Sequence, residues 1–314
     1  MSLTLVGVDL GGTLIRAAVA TGPATHGEPA RRPTPAAAGP DAVLDAVAAA
    51  VRDAAAGAQP AGVAIGIPGP LDPVGGVVYD APNLPGWEGL PVAELLERRL
   101  GCKVAIQNDA KLAGFAEWTT GAGTGTRNFV FITVSTGVGG CLILDGELYT
   151  GSAGTAGEVG HQQVSLDGPK CAEGHPGCLE GLASGTAIAN RAKAAIAAGA
   201  ATSLGGHGDD LDARAVETAA RAGDQLSKRL FDEAGHALGR AIGGLINVLS
   251  PEVVAIGGGL SQSGDLLFVP LRAAMPEIAF AVPLSRCRLL PAALGTDAGL
   301  VGATAWAVRR LGNA

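Results

Sequence analysis

At 314 residues the chain is too long for one simple core and asks for about two domains. Apolar residues make up 47% and aromatics only 4%, so Ala, Val, Leu and Ile fill the cores, and 49 glycines point to a compact α/β enzyme with many tight turns. A net charge of −7, with 22 Lys and Arg and no basic cluster, argues against nucleic acid or an anionic membrane as the main partner.

The first residues, MSLTLVGVDL, already read as a strand, with no basic leader and no long apolar stretch behind it. No uncharged apolar run reaches membrane-spanning length. Five cysteines are an odd number for a disulfide framework. Cys102, Cys141 and Cys287 sit in apolar or strand-like surroundings and read as buried thiols, so a reducing cytoplasm is the expected compartment.

Taken in chain order, Leu3–Leu10 and Leu14–Ala20 read as two strands around Gly11-Gly12. Asp41–Ala56 follows as a helix with an acidic start and apolar residues at Val43, Val47 and Val51. Gly62–Gly69 is a short apolar strand ending in a Gly-Pro-Gly turn. VAIQNDA is another strand, running into a helix near Asp109–Thr119. The Gly/Thr-rich stretch Thr119–Thr126 is the best linker candidate. A second set then begins with a hairpin over Phe129–Leu148 and a loop-rich insert over Tyr149–Leu179. Helices follow, broken by the glycine-rich Ser203–Asp210. Pro251–Leu260 is a strand entering a glycine turn and a helix, and Asp297–Leu311 is a closing helix. Each half thus starts with a hairpin whose turn is polar and glycine-rich, which reads as two related α/β lobes with a cleft between them.

The glycine turns carry the first functional signal. Gly11-Gly12 and Gly137 to Gly140 can be ordinary hairpin turns. They can also bind phosphate, because bare backbone lets an anion approach and successive N–H groups form a donor nest, with Thr13, Ser135 and Thr136 adding hydroxyls. Asp9 favours the second reading. A carboxylate beside a phosphate nest makes sense when a cation sits between them, and Mg²⁺ is commonly held by one or two carboxylates plus substrate phosphates. The plainer alternative for Asp9 is a turn cap. No P-loop, dinucleotide fingerprint, H-E-x-x-H or G-x-S-x-G occurs.

DLGGTLIRAA, GIPGPLD, APNLPGW, QNDAKLAG, STGVGG, EVGH and IGGGL stand in the order and at about the distances seen in the ROK sugar kinases, a group within the actin-like ATPase and sugar-kinase superfamily. The chain resembles that family from Val6 to about Gly302, and bacterial ROK glucokinases most. The resemblance implies two actin-like, ribonuclease-H-like lobes with an inter-lobe cleft. The small lobe would be 1–118 plus 298–314, the C-terminal helix crossing back onto it, and the large lobe 119–297.

It also implies roles. Asp109, at a strand-to-helix junction, matches the catalytic aspartate that takes the proton of the attacking hydroxyl. On the residues alone an ordinary helix N-cap is the favoured reading of Asp109, and the resemblance reverses it. Gly69, Asn83, Asn108, Glu158, His161 and Glu180 match sugar-contacting positions, where amides and carboxylates suit pairs of hydroxyls. Two Glu residues beside Asp109 favour a neutral hexose over an anionic acceptor. Asp9, Gly11, Gly12, Thr13, Thr136, Gly137 and Gly139 would border the ATP phosphates and Mg²⁺, and Gly257, Gly258 and Gly259 the adenosine. Lys111 stands where the family usually has Asn.

His161, Cys171 and Cys178 match three zinc ligands of the family. Its pattern C-x-C-G-x-x-G-C has Glu173 at the middle Cys, so His161, Cys171, Glu173 and Cys178 are the expected set for a structural Zn²⁺, with His175 able to swing in as fourth ligand. Two free loop cysteines with no metal are the plain alternative.

The expected activity is ATP-dependent phosphorylation of a neutral hexose, D-glucose giving the 6-phosphate. Mannose, N-acetylglucosamine, fructose or allose as acceptor, and polyphosphate as donor, are the variants to separate. A DNA-binding ROK repressor would carry a helix-turn-helix domain ahead of the Asp9 strand, and there is no room for one here. A catalytically silent sugar sensor is the other alternative. The family implies a homodimer or homotetramer.

Overall fold

The computed structural model describes residues 3–312. The strands and helices, in chain order, begin with β1 (Leu5–Leu10), β2 (Leu14–Gly22), β3 (Thr25–His26), β4 (Ala30–Pro33), α1 (Pro40–Ala54), β5 (Gly62–Ile67), β6 (Leu71–Asp72), β7 (Val77–Val78), α2 (Val92–Leu100), β8 (Lys103–Asn108) and α3 (Asp109–Thr120). They continue with β9 (Phe129–Val134), β10 (Val138–Leu144), β11 (Glu147–Leu148), α4 (Leu179–Ala183), α5 (Gly185–Ala197), α6 (Ala213–Arg221), α7 (Gln225–Leu249), β12 (Val253–Gly257), α8 (Asp265–Ile278), α9 (Ala281–Arg286), β13 (Arg288–Pro291) and α10 (Ala298–Leu311).

Two compact units result. The first holds residues up to Gly125, Cys141–Gly157, and those from Ala293 on; the second holds Thr126–Gly140 and Glu158–Ala292. The lobe limits expected from sequence lie at 118/119 and 297/298.

In the first sheet the order is β3-β2-β1-β5-β8, with β4 on β2. β1 pairs antiparallel with β2 and parallel with β5, and β5 pairs parallel with β8. All six residues of β5, GVAIGI, are buried, as a central parallel strand requires. α1 starts with Pro40 after Gly39 and sets Val43, Val47 and Val51 on one face of the core. α10 packs on α3, β1, β2 and β5. The approach is tight: a Cβ on Gly7 would lie 2.3 Å from the Thr304 nitrogen, and one on Gly302 would lie 1.9 Å from the Leu112 carbonyl.

The second sheet runs β11-β10-β9-β12-β13, with β12 parallel to both β9 and β13. Both sheets therefore place the opening hairpin strand between its hairpin partner and a parallel strand. The repeat read from the two glycine hairpins is present in the topology. In the second unit α7 lies against α8. Gly235, Gly239 and Gly243 line its contact face, and a Cβ on Gly239 would lie 2.3 Å from the Leu271 carbonyl.

Strand and helix positions follow the sequence reading within a few residues; α2, α9, β13 and the short strands β3, β4, β6 and β7 lie outside it. Among the described residues no helix is long and apolar enough to cross a membrane.

Candidate active site and metal knuckle

In the first unit the chemistry gathers at the carboxyl ends of three neighbouring parallel strands. Asp9 of β1 is in register with Gly66 of β5, and Gly66 with Gln107 of β8, so Asp9 and the Asn108-Asp109 pair end up at one edge of one sheet. Ligands of open α/β sheets bind at that edge.

Asp9 has a partner that the sequence reading missed. Arg16 is its cross-strand neighbour and donates to Asp9 Oδ2 from Nη2 at 2.7 Å and from Nε at 3.1 Å. The same guanidinium reaches the Thr296 carbonyl at 2.7 Å and Asp297 at 3.4 Å. The other oxygen, Oδ1, faces Gly299, where a Cβ would stand 2.8 Å away. The bare Cα there keeps space beside one carboxylate oxygen while the other is tied.

The β1–β2 tip is a tight turn closed by the Gly11 N–H on the Leu14 carbonyl at 3.0 Å. Thr34 clamps it, its N–H donating to the Thr13 carbonyl and its hydroxyl to the Gly11 carbonyl. Thr13 is exposed at the tip. Asn83 lies alongside, and a Cβ on Gly12 would come within 3.2 Å of the Asn83 Cβ.

At the end of β8 the roles divide. Asn108, not Asp109, is the N-cap of α3: its Oδ1 accepts from the Lys111 N–H at 3.1 Å, and its Nδ2 donates to the Gly69 carbonyl at 3.1 Å. Asp109 is the first helical residue, half-buried, with Oδ1 accepting from the Ala110 N–H at 2.7 Å. Asp109 is thus released from the capping role that the sequence also allowed. Gly69, at φ +95, could carry no side chain, since a Cβ would sit 2.2 Å from the Asp80 carbonyl. Lys111 points inward and is 2% exposed. Burial pushes the nearby Cys141 thiol up to about 12, against the opposing pull of Lys111.

The second unit holds the other residues expected at the site. The turn between β9 and β10 is closed by the Ser135 N–H on the Gly137 carbonyl at 2.9 Å. Its Ser135 and Thr136 carbonyls accept from Gly185 and Thr186 at the start of α5, at 2.7 and 3.3 Å. Glu180 is carried to this turn, where its Oε2 accepts from the Val138 N–H at 3.1 Å. Gly137 must lack a side chain here, because a Cβ would lie 2.7 Å from that oxygen. The short turn that bears Glu158 and His161 packs on the same strand start, with Gly160 against the Val138 carbonyl. Glu158, His161, Glu180, Thr136 and Gly137 are therefore brought round Val138. Gly139 lies within β10. Gly257 ends β12 and Gly258 and Gly259 follow it, and Gly258, at φ +83, fits tightly against the Val134 carbonyl.

Below this turn lies a knuckle. The ligand atoms of His161, Cys171, His175 and Cys178 all lie within 4.8 Å of one another. The buried Nδ1 of His161 has no hydrogen-bond partner. Burial, then the adjoining Cys171 thiol, push the Cys178 thiol up to about 11. Two thiols and two imidazoles, one of them with an orphaned ring nitrogen, are the donor types that tetrahedral Zn²⁺ takes. Glu173, the expected fourth ligand, lies outside this group and His175 stands within it; both residues are exposed.

The sequence pattern described as the ROK family matches residues 5–310. The chain is 34% identical to the glucokinase of Thermotoga maritima over 314 residues, 99% of each protein. A crystal structure of a ROK hexokinase from Thermus thermophilus superposes with a TM-score of 0.85 at 33% identity, covering 99% of this chain and 100% of that one. A ROK glucokinase from Streptomyces griseus, solved with glucose and AMPPNP, gives 0.80 at 34% identity, covering 98% and 99%.

Proposed function

The chain belongs to the ROK family, and from that premise we propose that it transfers the γ-phosphoryl group of ATP to the 6-hydroxyl of D-glucose. The observation that carries the proposal is the shared edge of the first sheet, where Asp9, the bare Gly11-Gly12 tip and Asp109 come together. A relative named glucokinase, matched over nearly its full length, and a ROK glucokinase solved with glucose and AMPPNP support it.

In this reading Asp109 takes the proton of the attacking hydroxyl. The cap of that helix is supplied by Asn108, so the base reading does not compete with a capping role for Asp109. The proton leaves late in a loose transition state, so a carboxylate suffices as base. Asn83, Asn108, Glu158, His161 and Glu180 orient the sugar hydroxyls, and Gly69 lets the backbone come close. The tips at Gly11, Gly12 and Thr13 and at Thr136, Gly137 and Gly139 receive the phosphates, and Gly257 to Gly259 border the adenosine. Mg²⁺ bound with the nucleotide neutralises phosphate charge. Asp9 suits its hydration shell, with one oxygen fixed by Arg16 and the other beside the open Gly299.

Zn²⁺ would be the structural ion of the knuckle, held by His161, Cys171 and Cys178 with a fourth ligand from the same turn. It ties down the loop that carries His161 to the segment that carries Glu180, so sugar affinity depends on it indirectly. A homodimer or homotetramer is the expected assembly.

The test is coupled detection of ADP release with a panel of neutral hexoses, each with ATP and with polyphosphate. Glucose with ATP should give the highest kcat/KM. Glucose binding seen by calorimetry, with no turnover of any hexose by either donor, would replace the kinase with a silent sugar-binding protein.

A further inference from the structure

The segment 163–178 is built to present side chains at fixed points. Isolated bridges join Gln163 to Cys178 and Lys170 to Pro176. Within that frame the Cys171 N–H donates to the His175 carbonyl at 3.0 Å, and the Gly174 N–H donates to the Cys171 carbonyl at 2.9 Å. Gly174, at φ +81, makes the turn possible. The backbone thus pairs Cys171 with His175 at the base of the turn and leaves Ala172 and Glu173 at its tip; His175, like the tip residues, is exposed, and what separates it from them is where its ring nitrogen lies.

Base and tip differ in what they can reach. The sulfur of Cys171 and a ring nitrogen of His175 join His161 and Cys178 in one group no wider than 4.8 Å. Zinc bonds of ~2.0 Å to nitrogen and ~2.3 Å to sulfur place tetrahedral ligands ~3.3–3.8 Å apart, a small contraction from this arrangement. The two imidazoles stand edge to face, their centroids 6.2 Å apart and their planes at 89°, so neither blocks the other. The unpartnered Nδ1 of His161 is a second, separate sign that a ligand belongs here. Glu173 would reach the group only by undoing the turn that its neighbours close.

We propose that His175, and not Glu173, is the fourth ligand, so that this chain holds Zn²⁺ through two thiolates and two neutral imidazoles. The inference rests on the reading that Zn²⁺ binds the knuckle at all. Two thiolates cancel the charge of the ion, whereas a carboxylate or a third thiolate would leave the set anionic next to Glu158 and Glu180. The histidine therefore restores a four-ligand shell without adding a negative charge beside the sugar-orienting carboxylates.

X-ray absorption at the zinc edge of the full-length purified protein tests this directly. The wild-type spectrum should fit two sulfurs and two imidazole rings. His175→Ala should drop one imidazole and weaken Zn²⁺ at least ~10-fold in competition with a chromophoric chelator, whereas Glu173→Gln should leave affinity within about twofold. His175→Cys should recover the affinity with a three-sulfur shell, which separates loss of a ligand from a folding defect. A wild-type shell with a single imidazole, or weakening by Glu173→Gln in place of His175→Ala, overturns the inference and leaves the zinc reading intact. A wild-type protein that takes up neither Zn²⁺ nor Co²⁺ overturns both.

Discussion

Asp109 owes its position to the residue before it. Asn108 closes the first turn of α3 with its own amide, so the capping role falls to it and not to Asp109, whose Oδ1 accepts from the Ala110 N–H. Asp109→Asn preserves size and helix start but removes the proton acceptor. Turnover should fall by about 10²–10⁴-fold, the usual worth of a general base, while calorimetry still detects glucose binding. A variant that kept most of its activity would move the base elsewhere. From the residues alone Asp109 reads as a helix N-cap, a role that the fold gives to Asn108; only the family resemblance marks Asp109 as the base. Arg16 was legible in principle. Once Leu5–Leu10 and Leu14–Gly22 are read as a hairpin closed at Gly11 and Leu14, counting back from the turn sets Arg16 opposite Asp9. His175 was harder, since the choice between it and Glu173 depends on which residues a backbone turn puts at its base. Only the fold decides that.

Elements met in sequence as strong patterns were placed within a few residues. The buried run GVAIGI, the Val43-Val47-Val51 stripe and the glycine hairpins each carry a period or punctuation of their own. What the patterns lack is partner choice. Glu117, buried at the end of α3, accepts from the N–H groups of Ala293 and Leu294 at 2.9 and 2.7 Å, and from Ala122 at 2.9 Å. Nothing within α3 announces partners more than 170 positions later. Between α7 and α8 the glycine spacing of four residues is a sequence feature, but its use as a close-approach face emerges only from packing. Gly239→Leu should overpack that face and cost about 1–3 kcal/mol, read as a lower midpoint in chemical denaturation. Gly244, with open space at its Cβ, is the control, and Gly244→Ala should be neutral or mildly stabilising.

For the molecule as a whole, acid should be destabilising in a traceable way. At Asp224 burial raises the carboxyl, but donors from Ser227, Ser203 and Thr202 outweigh it and hold the group well below the usual carboxylate range. At Glu252 the Asn128 and Arg127 N–H groups hold the carboxyl down in the same sense. A group depressed on folding gives its full stabilisation above its unfolded pKa, about 4, and loses it as pH falls through the folded value. Denaturation midpoints should therefore be flat from pH 7 to 5 and fall steadily below 4. Asp224→Asn keeps a competent cap for α7 and should flatten part of that acid limb; an unchanged limb would assign the acid sensitivity to other groups.

α10 closes against β1 and α3 although nearly the whole chain separates them, with Gly7 and Gly302 shaped for a contact that leaves no slack. On a ribosome, the earliest strand would emerge long before the helix that covers it. The face of that strand which α10 covers therefore meets its native partner only late in synthesis, and exposed apolar surface of this kind makes partly made chains prone to aggregate.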